Sequence, residues 1–170
     1  MTRKLLLVLV GGFCGAIVRY VLAKPLLMLA STLPESRSGF PYDILLINLS
    51  GAFAIGLLFG AFEYGASLSP DVRLMLGTGF LGAYTTFSSY MVGAAMLIRH
   101  GQPLAALLYV CGAMVAGVGL AAAGFLLAGA LTTQWRAWRV ALSAMAPRMD
   151  DEIEAQVIEA ALADIEGHAR

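Results

Sequence analysis

Gly79–Tyr90 reads GFLGAYTTFSSY, and this stretch decides the fold. It lies within an apolar segment, Val72 to Ile98, that is long enough to cross a bilayer, yet glycines and Ser/Thr hydroxyls crowd its middle. The spacing predicts a transmembrane helix that breaks. Lipid offers the backbone no hydrogen bonds, so non-helical chain at membrane depth persists only where protein or a polar cavity satisfies its N–H and C=O groups. Broken spans present freed carbonyls to cations and helix N-termini to anions. The stretch is therefore a candidate ion or substrate site.

The rest of the chain supplies the membrane setting. Its 170 residues are 59% hydrophobic and 13% charged, with a mean hydropathy of +0.80, which excludes an ordinary soluble domain. Besides Val72–Ile98, three stretches provide the ~20 apolar residues that a spanning helix needs: Leu5–Ala30, Ile44–Phe62 and Leu104–Leu131. The fold class is an all-α membrane protein of four transmembrane helices, with the break in the third. Arg3 and Lys4 before the first span imitate a secretory signal, but Arg19 puts a charge inside what would be its apolar region.

A net charge of zero conceals two regions. The tail from Asp150 holds seven of the eleven acidic residues and only Arg170 of the eleven basic ones. The sequence thus divides into a four-helix membrane domain (1–132), an interfacial linker with Trp135, Arg136, Trp138 and Arg139 (133–149), and an acidic amphipathic helical tail (150–170). Indoles beside arginines suit the headgroup level. Pro147 is expected to end the linker helix, and Asp151 with Glu154 to cap a separate short helix whose apolar face carries Ile153, Val157 and Ile165. Arg3, Lys4, Arg73, Arg136, Arg139 and Arg148 flank one membrane side against Lys24, Arg37 and Arg99 on the other. This bias favours cytoplasmic termini.

Small residues line three spans: Gly11 and Gly15 in the first, Ala52, Gly56 and Gly60 in the second, and Ala113, Gly117 and Ala121 in the fourth. Such faces let helix backbones approach closely. Ser36–Asp43 reads as a surface loop, Ser69–Pro70–Asp71 as the start of the third span, and His100–Pro103 as the turn before the fourth.

Candidate chemistry centres on the break. Thr85, Thr86, Ser88 and Ser89 bring hydroxyls, and Phe87 and Tyr90 bring ring edges that are electropositive and can meet an anion. Asn48 shares a face with the small residues of the second span. Arg19, well inside the first, is either an anion attractor or an arginine snorkelling to the interface. Asp43, Glu63 and Asp71 all lie near span ends, which disfavours a proton-coupled exchanger. Cys14 and Cys111 lack metal-ligand spacing, no nucleophile–base arrangement or phosphate loop appears, and nothing points to nucleic acid. The chain does not read as an enzyme.

GGFCGAIVRY (Gly11–Tyr20), INLSGAFAIG (Ile47–Gly56) and GTGFLGAYTTFSSY (Gly77–Tyr90) resemble the Fluc/CrcB family of fluoride channels. The resemblance implies a dual-topology, antiparallel dimer in the bacterial inner membrane, with two fluoride pores along the subunit interface. It also implies a structural, untransported sodium ion (Na+) held by the backbone carbonyls of Gly82 and Thr85 from both subunits. Asn48, Phe87, Arg19 and Tyr109 match pore positions of the family, with Thr86 and Ser88 as nearby hydroxyls. Tyr90 stands where a second phenylalanine is expected and brings a hydroxyl that needs a partner. Ala113 and Gly117 stand where helix 4 serines are expected. The implied activity is passive fluoride export that lowers fluoride in the cytoplasm. The alternatives are a dual-topology small-molecule exchanger and a non-conducting subunit that pairs with a paralogue.

Overall fold

Two extended residues, Thr85 (φ −78°, ψ 158°) and Thr86 (φ −149°, ψ 117°), divide the third span in the computed structural model. The structure describes residues 2–30, 39–65 and 69–168, with side-chain surroundings described outside 27, 29, 30 and 144–168. Arg37, most of the Ser36–Asp43 turn residues before Gly39, and the expected apolar face of the tail lie outside these limits.

Helix α1 spans Thr2–Ala30 and α2 spans Tyr42–Glu63. The third span is composite. A first turn, α3 (Pro70–Arg73), leads into wide i→i+5 turns over Leu74–Leu81, here π1; α4 (Gly82–Tyr84) precedes the break, and α5 (Phe87–Arg99) follows it. Helix α6 begins at Pro103. Four segments are long and apolar enough to cross a membrane: Thr2–Leu26, Tyr42–Glu63, Pro70–Arg99 and Pro103–Ser143. The described residues contain no strand. The chain is a multi-pass membrane protein.

Local chemistry explains the boundaries. Ser69 caps α3, its hydroxyl accepting from the Val72 N–H at 3.3 Å, and Pro70 occupies the first position, where its missing donor costs nothing. Gly101 makes the turn after α5 with φ +75°, a conformation that side chains disfavour. The break is narrower than Gly79–Tyr90: the chain stays helical to Tyr84 and resumes helix at Phe87.

Glycines set the spacing between helices. A methyl group at Gly11 or Gly15 would overlap the carbonyl oxygen of Met75 or Phe80, so α1 lies directly on π1. On the other side Gly56 faces the Ala121 carbonyl, and Gly124 faces that of Phe53, which joins α2 to α6. Two buried clusters fill the remaining space. Ile47, Leu81 and Tyr84 form one around the front of the break; Tyr90, Ala94, Leu97, Ala106 and Tyr109 form the other behind it.

The chain divides into two compact units, Met1–Ala130 and Leu131–Arg170. Helix α6 runs Pro103–His168, so neither the expected stop at Pro147 nor a new helix start at Asp151 occurs. A proline costs a helix one donor and crowds the preceding turn, but Ala, Leu, Met and Arg on both sides are strong helix formers and carry the helix across. Within the second unit Trp135, Trp138, Val140 and Leu142 are exposed.

Candidate functional site

Thr85 and Thr86 leave the helix, so their neighbourhood must replace the lost backbone bonds. Asn48 of α2 does most of this. Its Nδ2 donates to the Thr86 carbonyl at 3.0 Å, and its Oδ1 accepts from the Thr86 N–H at 2.8 Å. The amide group mimics a peptide and holds the break from across the helix interface. Thr85 is tied back to α4: both its N–H (3.0 Å) and its Oγ1 (2.9 Å) donate to the Leu81 carbonyl.

Thr86 then caps α5. Its Oγ1 accepts from the Ser89 N–H at 3.2 Å and lies 3.2 Å from the hydroxyls of both Ser88 and Ser89. The hydroxyls that seemed a loose polar patch in sequence therefore form one capping cluster around Thr86, which is itself buried. The N-terminus of a helix carries partial positive charge and exposed N–H donors. The positive end of α5 thus begins at the break.

A cavity of about 360 Å³ opens on this point. Asn48, Gly82, Thr85, Thr86, Phe87 and Tyr90 all line it, which brings together most of the candidates read from the sequence. Phe87 is 75% exposed, an unusual position for a phenylalanine unless lipid or another subunit covers it. Ala113, Met114 and Gly117 of α6 form another wall, and none of these side chains offers a hydroxyl.

The hydroxyl of Tyr90 has found its partner. It donates to the Val110 carbonyl of α6 at 2.6 Å, while the ring keeps its place on the cavity wall. Behind it, Tyr109 packs its ring 4.8 Å from that of Tyr90 and 5.4 Å, edge on, from Phe40. Tyr109 is 2% exposed and lines a separate apolar cavity, and its buried hydroxyl has no hydrogen-bond partner in the structure. Arg19 is half-buried on α1 and lines neither cavity; the Arg3–Asp71 ion pair does not involve it. Ser88 is exposed and reaches the site only through Thr86.

Gly51 is a site residue that the sequence reading did not single out. It is buried, and a methyl there would overlap the Thr85 side chain and crowd the Tyr84 ring at 3.3 Å. Its spacing of three from Asn48 put it on the same helix face, a signal masked by the more regular four-residue stripe. Ser50 beside it bonds the Tyr84 hydroxyl at 2.8 Å.

Residues 6–125 match a family model described as CrcB-like protein, Camphor Resistance (CrcB). A fluoride-specific ion channel FluC of Chlorobaculum tepidum is 40% identical over 126 residues, covering 74% of this chain and 94% of the relative. Another from Pyrococcus furiosus is 40% identical over 126 residues, covering 74% and 96%. A third, from Chlorobium phaeobacteroides, is 41% identical over 114 residues, covering 67% and 84%. Every residue that lines the cavity at the break falls inside the family match. With its four spans and the full extent of that match, the chain belongs to the CrcB family.

Proposed function

We propose that the chain is a fluoride-specific ion channel, not an enzyme, which passively exports fluoride across the membrane it spans. The observation that carries this reading is the cavity at the Thr85–Thr86 break, where the N-terminus of α5, the Asn48 amide and the rings of Phe87 and Tyr90 converge. Each is a partner for a small anion rather than a cation: N–H donors, the positive end of a helix, and ring edges. The relatives named as fluoride-specific channels support the choice of ion. An inside-negative potential provides about 2.3 kcal/mol per charge per 100 mV, which is enough to drive export without a second energy source.

The working unit in this reading is an antiparallel dimer, formed with itself or with a paralogue. Exposure of Phe87 supports it, since a second subunit would cover that ring and complete a pore wall that one subunit leaves open. The Gly82 and Thr85 carbonyls from two breaks would hold the sodium ion. The Thr86 N–H, which an unbroken helix would direct to the Gly82 carbonyl, is instead given to Asn48, and both carbonyl-bearing residues line the cavity. A bound sodium would supply positive charge that offsets the clustered carbonyl dipoles at the dimer centre.

One observation favours a second reading, the non-conducting subunit. Ala113 and Gly117 leave the α6 wall of the cavity without hydroxyls, so an ion there would depend on the break side alone. Fluoride efflux from liposomes containing the purified chain tests the proposal. Efflux is expected from the chain alone, and Phe87→Ile should abolish it while leaving the assembly intact. Efflux that appears only with a paralogue would support the subunit reading instead.

A further inference from the structure

A second cavity, about 290 Å³, lies between the end of α2 and the start of the third span. Its wall includes Arg73 and Thr78, and it shares two residues, Ile55 and Gly77, with the cavity at the break. The two spaces therefore adjoin at a neck formed by a glycine and an isoleucine. Arg73 belongs to the first turn after Ser69, near the end of a spanning segment, so its cavity is the one nearer the membrane surface.

Arg73 is held for capture rather than for pairing. Its guanidinium lies 4.7 Å from the Phe59 ring centroid and 5.5 Å from that of Phe62, and the side chain remains exposed. Stacking on two rings fixes the group in place at low hydration cost while its N–H edge stays open. The carboxylates at this end do not neutralise it. Asp71 pairs with Arg3, and no ion pair joins Arg73 to Glu63 among the described residues.

We infer that Arg73 is an anion-capture site at one mouth of the permeation path, from which fluoride passes Thr78 and the Ile55–Gly77 neck to the break. This rests on the fluoride-channel reading and adds a residue and a route to it. A fixed positive charge at a mouth raises the local concentration of a small anion, and the effect fades as salt screens it. Gly77 keeps the neck open. A methyl there would meet only the Leu58 Cδ2, at 3.4 Å, so larger side chains fill the passage without disturbing backbone.

The test is fluoride efflux from liposomes, measured at low and at high ionic strength. Arg73→Gln should slow efflux by about three-fold or more at low ionic strength, with the deficit shrinking at high salt, and Arg73→Lys should retain most of the rate. Gly77→Val should slow efflux equally at both salt levels. An Arg73→Gln variant that matches the unsubstituted chain at low ionic strength, or that is equally impaired at both, would overturn the capture role. Absence of efflux from the unsubstituted chain would overturn the channel reading and this one together, whereas efflux indifferent to Arg73 would overturn only this one.

Discussion

Asn48 and Thr86 lie 38 residues apart and exchange two hydrogen bonds, amide to carbonyl at 3.0 Å and N–H to amide oxygen at 2.8 Å. The pair makes the break stable by completing the backbone bonds that the helix gives up. Replacing Asn48 with Ala would strand one donor and one acceptor in a partly buried place. Each stranded group costs about 1–3 kcal/mol, so Asn48→Ala should lower the melting temperature in detergent clearly and abolish fluoride efflux. A variant that melts like the parent would show that the break holds itself.

Tyr90→Phe isolates the hydroxyl from the ring. It removes the 2.6 Å bond to the Val110 carbonyl, a net loss of about 1 kcal/mol, but leaves the aromatic wall of the cavity in place. The expected result is a small drop in thermal stability with efflux preserved. Tyr90→Leu, which removes the ring as well, should reduce efflux in the same assay.

Adding hydroxyls to the α6 wall tests whether their lack limits the pore. At Gly117 a new Cβ would meet only the Ala52 methyl, at 3.9 Å, so serine fits without strain. Gly117→Ser and Ala113→Ser should raise the fluoride efflux rate, singly and more strongly together. Unchanged rates in the folded double variant would show that the break side alone sets conduction.

Close helix packing predicts a sharp contrast among glycines. Gly56→Ala should destabilise the protein by about 1–3 kcal/mol or more, because its methyl would press on the Ala121 carbonyl. Gly119→Ala, whose Cβ would meet nothing within 4 Å, should be neutral. Melting curves of the two purified variants check this directly.

Hydropathy and turn residues made the four spans legible in the sequence, and Ser69–Pro70 and Gly101 marked two of their boundaries. The break was legible because Thr85 and Thr86 sit among hydroxyls where lipid would demand leucine. Its partner was less so: Asn48 stood out as a polar residue in an apolar face, but nothing local says that its amide clasps Thr86 from 38 positions away. The wide turns of Leu74–Leu81 escaped notice because LMLGTGFL is as apolar in i→i+5 geometry as in i→i+4. Pro147 misled for the opposite reason, since a strong local stop signal was outweighed by good helix formers on both sides. Arg73 read only as a flanking charge, because its two aromatic supports come from another helix.

The wide turns of π1 also act as an angular adjustment. An α-helix rotates by about 100° per residue, and i→i+5 turns accommodate extra chain without extending the helix in proportion. Removing one residue from Leu74–Leu81 would let these turns tighten and would swing all that follows by roughly that angle. Gly79 would leave the surface of α1, and Thr86 would turn away from Asn48. The length of this segment is thus a phase setting for the break, and a change of a single residue there would be felt at the pore as strongly as a substitution within it.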